Sequence, residues 1–384
     1  MNSLANKLLR PTWAEISLGK LRRNYSRVRR LAGERQLMAV IKADAYGHGA
    51  VAVANCLAAC GADWFGVASV EEALELRAAG ITQSILLLGG LYMSDPADLV
   101  NFQLTPSVSS TARLDTYVSC ARRHGHPIEF HLKVDTGLGR LGVPPDRLAA
   151  FLDHYRTLEG IRLTGLFTHL ASAEDLVATQ TEEQGERFRA ALAQVKAAGI
   201  SLAFTHVSNS GALLTRRHFP ENMVRIGGLL YGLYLPILVP PDDEPPPPLP
   251  DFEPVLSFKS RVVYLKDVPS GTPLGYGEAF HARRPSRVAT VPVGYADGLN
   301  RALSNRGHAI VRGRLARLVG SISMDLSLLD VTDIPGVSVG DEIMLLGQSG
   351  HAAITPLDIA QMLNTVPYEV LCLIGKRVPR LYVE

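Results

Sequence analysis

Lys42 is the first residue whose placement suggests chemistry. It follows the apolar run Leu37-Met-Ala-Val-Ile41 and opens Lys42-Ala-Asp-Ala-Tyr46-Gly47-His48-Gly49, after which Ala50 to Cys60 reads as a helix. The pattern predicts a strand, a glycine-rich turn and a helix, with the lysine at the strand's carboxyl end. In parallel α/β folds that edge collects ligands, and glycines opening the next helix let backbone N–H groups approach an anion such as phosphate. A lysine of lowered pKa also forms Schiff bases with aldehydes such as pyridoxal phosphate, because only the neutral amine attacks the carbonyl carbon. The bland alternative is a surface lysine at a strand end.

Other polar groups close other apolar runs: Tyr46, Lys133 to Arg140, Thr168 and His169, His206 to Gly211, and Arg225 to Gly228. Separately each has a dull reading, as a solvated loop charge (Arg140), a satisfied strand-end histidine (His169) or a helix cap (Ser208, Asn209, Ser210). Together at one edge they describe one ligand site. Asn209-Ser210-Gly211, ahead of a short helix, and Gly227-Gly228, after the last run, both suit phosphate. Arg225 precedes the second of these, where it could face the ring that carries the phosphate. A carboxylate there keeps a pyridine nitrogen protonated, whereas an arginine leaves it unprotonated and shortens the life of a carbanion. Two tyrosines flanked by glycine, Leu274-Gly-Tyr276-Gly277 and Gly294-Tyr295-Ala-Asp297-Gly298, add phenols to the candidates, against the alternative of turn tyrosines covering a core.

The elements that must position these groups alternate in kind. Short apolar runs at Met38 to Lys42, Trp64 to Ala68, Ser84 to Leu88, Leu104 to Val108, Ile128 to Val134, Leu163 to Thr168, Ala203 to Val207 and Met223 to Ile226 read as strands. Helical stretches separate them, for example Ser69 to Ala79 behind a serine cap and Thr181 to Ala198. Eight such units predict an α/β fold with an N-terminal (β/α)8 TIM barrel. An open doubly wound sheet would carry a GxGxxG turn after its first strand, and none is present. The run Pro240 to Pro250 suits an extended spacer. Beyond it, Val255 to Val268, Arg287 to Val293, Ala309 to Val311, Leu315 to Ile322, Leu326 to Val331 and Asp341 to Leu346 read as strands, with one short helix at Ile354 to Leu363. The expected domains are therefore the barrel over 1–239, a Pro-rich linker over 240–254 and a mainly β domain over 255–384. The strand Thr12 to Leu18 lacks a neighbour in sequence and is expected to join the β domain.

Composition narrows the function classes. With 39 basic against 37 acidic residues and 47% apolar content, the chain reads as a globular protein with no basic surface for nucleic acid or membrane, and a small-molecule ligand is expected. Cys56, Cys60, Cys120 and Cys372 form no CxxC pair and the eleven histidines show no metal-ligand spacing, so reduced core thiols and no metal are expected. Met1 to Pro11 lacks a signal-peptide core and no apolar run reaches membrane-spanning length, which favours the cytoplasm.

Taken in order, these segments resemble the alanine racemase family, fold-type III pyridoxal phosphate enzymes with a barrel and a C-terminal β domain. The resemblance runs from about Thr12 to the C-terminus. It is carried by Lys42-Ala-Asp-Ala-Tyr46-Gly-His-Gly, Lys133-Val-Asp-Thr-Gly-Leu-Gly-Arg140, His206-Val-Ser-Asn209-Ser210, Arg225-Ile-Gly-Gly, Gly275-Tyr276-Gly, Gly294-Tyr-Ala-Asp-Gly, Ser323-Met324-Asp325, Pro367-Tyr368-Glu and Arg377-Val-Pro-Arg-Leu-Tyr382. It implies that Lys42 bonds pyridoxal 5'-phosphate, that Tyr46, Ser210, Gly227, Gly228 and Tyr368 hold its phosphate, with Asn209 beside them, and that Arg225 meets the pyridine nitrogen. Tyr276 is implied as the second base, contributed by the partner subunit of a homodimer, with His169 and Arg140 orienting it. Met324 is implied to offer a backbone N–H to the substrate carboxylate across the dimer, Tyr295 and Arg301 to line the entry corridor, and Lys133 to be a site of carbamylation. The implied activity is interconversion of L- and D-alanine, supplying D-alanine for peptidoglycan.

Two bases also follow from stereochemistry alone, since inversion needs proton removal on one face and delivery on the other. Tyrosine ordinarily ionises near pH ~10, so nearby cations such as Arg140 are expected to favour its phenolate. Three departures from the family pattern are Gly228 in place of a branched apolar residue, Glu278 after Tyr276-Gly277, which would weaken the positive field there, and the proline run. The alternatives are a broader racemase that also accepts serine, a non-catalytic pyridoxal phosphate carrier, and a barrel decarboxylase, against which Arg225 counts.

Overall fold

The computed structural model describes residues 10–92, 95–240 and 251–384. Expectations for the first nine residues and for the proline run 241–250 lie outside the described residues. The chain divides into two compact units, one formed by Leu21–Ala45 and Ala50–Phe252, the other by the chain up to Lys20, by Tyr46–Gly49 and by Glu253–Glu384.

The first unit is a closed barrel of eight parallel strands: Gln36–Val40, Trp64–Val67, Ser84–Leu87, Leu104–Val108, Ile128–Lys133, Ile161–Phe167, Phe204–His206 and Met223–Ile226. It closes where Gln36 to Ala39 pair with Met223 to Ile226. The runs are buried nearly throughout because helices cover the outside and side chains fill the inside. Along each strand alternate residues point inward, which stacks the interior in layers. Met38, Trp64, Leu86 and Met223 form one interior cluster, with Leu88 and Phe204 packed against it. The barrel also buries polar side chains, among them His131, His206, Lys133 and Arg225.

The helix expected at Ser69 to Ala79 runs Val70–Ala78. Ser69 does sit at its N-cap with an extended backbone, but the serine side chain makes no capping hydrogen bond. Glu72 instead accepts from the Ala68 N–H at 2.7 Å. This carboxylate, in the first turn of the helix, ties down the residue before the cap rather than a first-turn N–H, and its other oxygen accepts from Ala43.

The second unit is built on a ten-stranded sheet in the order Tyr264–Val268, Ser286–Val291, Ser327–Asp330, Arg314–Leu318, His308–Val311, Glu342–Ser349, Leu256–Arg261, Thr12–Ser17 and Arg380–Val383, with Ala352–Ile354 paired off the path to Glu342–Ser349. Thr12–Ser17 runs antiparallel to Leu256–Arg261 and parallel to Arg380–Val383. The single strand expected over Val255 to Val268 is two strands, because the chain changes partner between Arg261 and Tyr264: the first half pairs with Thr12–Ser17 and Glu342–Ser349, the second with Ser286–Val291. Two helices replace the one expected: Pro356–Leu363, with a Thr355/Asp358 capping box, and Pro367–Cys372 after an asparagine in the left-handed region. Both start on proline, whose fixed φ suits the first helical turn.

Candidate active site

Lys42 leaves the first barrel strand through a turn that its sequence does not announce. Residues Lys42–Gly47 coil with helical hydrogen bonding, yet Ala43, Asp44, Ala45 and Tyr46 all have φ between 53° and 56°, so the coil is left-handed. Left-handed coiling costs an L-residue roughly 1–2 kcal/mol, and neighbouring groups offset that cost. The Ala43 N–H donates to Glu72 Oε1 at 2.6 Å, the Ala45 N–H to the Ile41 carbonyl at 2.9 Å, and Asp44 Oδ1 accepts from the Ala50 N–H at 2.7 Å. Glu72 therefore ties the turn after Lys42 to the end of the next strand. The chain then passes Gly47 and Gly49, with φ of 82° and 93°; a Cβ on Gly47 would lie 2.6 Å from the Leu371 carbonyl, and one on Gly49 would overlap the Tyr382 hydroxyl. Glycine is required there on both counts.

Around the same barrel mouth the strand ends present cations. Lys133 is 4% exposed, with its Nζ 5.7 Å from the Phe167 ring centre. Burial first, then the charges of Arg140 and Arg225, push its pKa down to about 8, against an opposing pull from Asp135; Lys42 adds a smaller push in the same direction. Arg140 lies exposed on the following loop, which is held by Asp135 Oδ1 accepting from the N–H groups of Gly137, Leu138 and Gly139. His169 is pushed down to about 2 by burial and then by Arg225, Lys133, Arg140 and Lys42. It is a neutral imidazole surrounded by cations.

Arg225 is the hub of this group. Its Nη1 donates to the His206 carbonyl (2.8 Å) and to His206 Nδ1 (3.0 Å), and its Nη2 donates to the Thr168 and Val207 carbonyls (2.7 and 3.0 Å) and to His169 Nδ1 (3.2 Å). Burial lowers its pKa to about 10, with Glu221 pulling the other way, so it stays charged. Both terminal nitrogens are committed, and among the described residues the Nε–H has no acceptor. Because arginine only donates, His169 Nδ1 must accept, which puts that ring's proton on Nε2. Glu221, fully buried, fixes the loop from below by accepting from the Val207 and Ser208 N–H groups, the Ser208 hydroxyl and Arg35.

Two loops beside Arg225 supply donors for an anion. Asn209 caps the helix Ser210–Leu214 by accepting from the Ala212 N–H, so its side chain is spent on the backbone. The first two N–H groups of that helix, Ser210 and Gly211, have no acceptor among the described residues, and the same holds for Gly227 and Gly228. Ser210 Oγ accepts from the Leu229 N–H at 3.4 Å, which brings the two loops together. Four backbone donors and an adjacent guanidinium Nε–H suit a phosphate-bearing ring.

The β unit carries the remaining candidates. Tyr46 and Tyr368 meet edge to face with ring centres 5.9 Å apart. Tyr276 is 75% exposed on a short turn held by Ser321 Oγ donating to its carbonyl at 3.2 Å. Glu278 beside it lies 3.6 Å from His281, so its charge has a potential local partner. Tyr295 and Met324 are brought together: the Tyr295 N–H donates to the Ser323 carbonyl and the Ala296 N–H to the Met324 carbonyl, while the Met324 N–H has no acceptor among the described residues. Arg301 opens the next short turn, Arg301–Leu303.

Sequence reasoning did not single out Asp297, a fully buried carboxylate. It takes bidentate bonds from Arg10 and Arg377 and one from the Gly294 N–H, and Arg377 continues to Asp325 at 2.8 Å. Burial alone would raise this carboxyl, but the hydrogen bonds from Arg10 and Arg377 outweigh it and hold the pKa below the ordinary value. Glu72, Glu221 and His131 escaped as well. Each works through at least one backbone or barrel-interior partner distant in sequence, and no local signal marks that contact.

Fold and site together define a two-domain barrel enzyme whose strands carry cations and, among the described residues, unpaired backbone donors at their carboxyl ends. Residues 16–235 match the family model for the alanine racemase N-terminal domain and residues 255–382 the model for its C-terminal domain. The chain belongs to the alanine racemase family. It is 42% identical to an alanine racemase of Desulfovibrio desulfuricans over 98% of this chain and 99% of that one. It superposes on the alanine racemase of Bacillus anthracis with bound L-Ala-P at a TM-score of 0.88, with 31% identity over 98% of this chain and 96% of that one. It also superposes on the alanine racemase of Bartonella henselae with covalently bound pyridoxal phosphate at a TM-score of 0.85, with 29% identity over 97% and 99%. No helix among the described residues is long and apolar enough to cross a membrane.

Proposed function

We propose that this chain interconverts L-alanine and D-alanine with pyridoxal 5'-phosphate bound at the barrel mouth. The observation that carries the reading is the donor set beside Lys42: four backbone N–H groups on two tied loops, with a buried, always-charged Arg225 between them. The cofactor, when bound, supplies an electron sink that acidifies the α-proton of an amino acid. Every other task falls to the chain. The N–H groups of Ser210, Gly211, Gly227 and Gly228 would bind the phosphate, with Tyr46 and Tyr368 as further contacts. Arg225 Nε–H would hold the ring nitrogen unprotonated, because a guanidinium donates and does not surrender its proton. Lys42 Nζ would move the α-proton on one face and Tyr276 Oη on the other. Met324 N–H would receive the substrate carboxylate, and His169 and Arg140 would orient the phenol. Tyr295 and Arg301 would guide entry.

Tyr276 and Met324 are both about half exposed or more on the β unit, which supports a homodimer in which one subunit's β unit completes the other's barrel. The four cysteines are thiols, which supports a reducing cytoplasmic setting and a role in supplying D-alanine for peptidoglycan. Purified protein loaded with pyridoxal phosphate and given single enantiomers of alanine and of serine in D2O tests the reading. Loss of optical activity and α-deuterium incorporation are expected with either enantiomer of alanine. Unchanged rotation from both alanine enantiomers would sink it, and equal turnover of serine would widen the substrate class.

A further inference from the structure

The barrel interior holds a titratable side chain that the reaction above does not use. His131 is fully buried, and its Nδ1 lies 2.9 Å from His206 Nε2. His206 Nδ1 in turn lies 3.0 Å from Arg225 Nη1. Because a guanidinium has donors and no acceptor, this geometry fixes every proton along the chain. Arg225 must donate to His206 Nδ1, so His206 carries its proton on Nε2. That proton points at His131 Nδ1, so His131 carries its own on Nε2. Both rings are neutral: burial first, then the charge of Arg225, push His131 down to about 3 and His206 well below the ordinary value. The hydrogen bonds run one way, from the guanidinium into the barrel.

The chain ends on two orphans. Among the described residues His131 Nε2 has no partner, and neither has the hydroxyl of Ser107, its register partner on the neighbouring strand Leu104–Val108. Register partners on adjacent strands project to the same face. The His131 ring meets Trp64 and Phe204 inside the barrel, with centres 5.5 and 5.4 Å apart, so both orphans face the interior. An unsatisfied buried donor beside an unsatisfied buried hydroxyl is the setting in which proteins keep an ordered water. The sequence also makes room for this imidazole: a Cβ at position 165 would overlap the His131 ring, and residue 165 is glycine within a strand.

We infer that His131 is a positioning residue for Arg225, acting through His206, and that one ordered water shared by His131 Nε2–H and the Ser107 hydroxyl closes the chain. The inference draws on the proposed function only in taking Arg225 as the group facing the cofactor's ring nitrogen. The chain fixes the direction of the arginine's Nη1 bonds and with it the aim of Nε. A histidine protonated on Nδ1 at position 206 would set two donors against each other and turn the guanidinium away.

Histidine-labelled protein without cofactor provides the first test, since nitrogen-15 shifts distinguish the two neutral tautomers. Both His131 and His206 are expected as Nε2–H forms near neutral pH, and an Nδ1–H form at either position overturns the chain. A water cross-peak to the His131 Nε2 proton is expected, and its absence overturns the closing water. In a second arm, His131→Phe keeps a ring but accepts nothing, and should move the His206 shifts and weaken pyridoxal phosphate binding about tenfold. His131→Gln, whose Oε1 can accept from His206, should recover most of that loss. Equal affinity in all three proteins with unmoved His206 shifts overturns the positioning role. The tautomer readings need no turnover, so they stand or fall apart from the racemase assignment.

Discussion

Lys133 offers the sharpest test of the electrostatics at the barrel mouth. Its pKa falls from 10.5 to about 8, a drop worth about 3 kcal/mol at roughly 1.4 kcal/mol per pH unit. The side chain is 4% exposed, so solvent screening removes little of this. Between pH about 8 and 10.5 the unfolded lysine keeps a proton that the folded one has lost, so stability rises with pH through that window. Below about 8 both states hold the proton and the folded protein carries the whole penalty. The same drop changes reactivity. At pH 7 about one Lys133 in ten is the neutral amine, against about one in 3,000 for an ordinary lysine. That amine can attack carbon dioxide: a nitrogen–carbon bond forms, one carbon–oxygen π pair moves onto oxygen, and the amine proton leaves to water. Carbamylation would replace the ammonium with a carbamate anion facing the charges of Arg140, Arg225 and Lys42. Protein given carbon-13 bicarbonate should therefore show one carbamate resonance that is lost in Lys133→Met. It should also melt higher than protein held free of carbon dioxide, by about 2–4 °C for each kcal/mol relieved. In carbon-dioxide-free buffer, Lys133→Met should itself be more stable than the parent at pH 7, and the difference should shrink as pH rises past 8. A parent protein with no Lys133-dependent resonance and a pH-independent stability difference would refute the reasoning.

Two further perturbations test the other unit. Tyr276→Phe should lower racemisation of alanine about 10²- to 10⁴-fold; because the two enantiomers are equal in energy, kcat/KM must fall equally in both directions. The asymmetry should surface in α-proton exchange, which persists from the one enantiomer that Lys42 deprotonates, so normal racemisation would remove Tyr276 from the mechanism. Asp297→Asn should destabilise the β unit by about 1–3 kcal/mol in urea unfolding, below the roughly 3–5 expected for a fully buried pair because the Arg10 and Arg377 side chains are 33% and 41% exposed. Since the Asp297 pKa is held below 3.8, its contribution is present above that pH and fades as acid protonates it, and an unchanged acid limb in the variant would argue against the hub.

The strands that carry the site were legible because each is a short apolar run ending in a polar residue. Lys42, Lys133, His169 and Arg225 stand at or just past such ends, where periodicity alone places them on one barrel edge. The two phosphate loops were legible for a similar local reason, since glycine or serine at a strand-to-helix junction bares N–H groups. What escaped was structure held from a distance. Ala43, Asp44, Ala45 and Tyr46 contain no glycine, and nothing in Lys42-Ala-Asp-Ala-Tyr announces a left-handed turn. It exists because Glu72, on the helix after the second strand, offers a carboxylate to the Ala43 N–H. The grouping of Tyr46–Gly49 with the β unit escaped likewise, because it depends on the Leu371 carbonyl and the Tyr382 hydroxyl pressing on two glycines. Asn209 was legible as a phosphate neighbour and equally as a cap, and its oxygen is in fact committed to the Ala212 N–H.

The charge pattern of the barrel mouth gives these particulars a common cause. Lys42, Lys133, Arg140 and Arg225 all lower the pKa of His169, and Glu221, the acid that acts on Arg225, is occupied with two backbone N–H groups, Ser208 and Arg35. A site so assembled is costly until anions enter it. A phosphate at the two loops, a carbamate at Lys133 and a substrate carboxylate would each relieve the same repulsion, so each should raise the affinity for the others. Neutral His169 and His206 fit that scheme, since a protonated imidazole would add a further positive charge to a cluster of cations. The fold tolerates the imbalance because Arg225 is restrained by three carbonyls and two imidazoles, whose dipoles favour its charge without neutralising it. Restraint of that kind leaves the full positive charge available to the ligand, which a carboxylate partner would not.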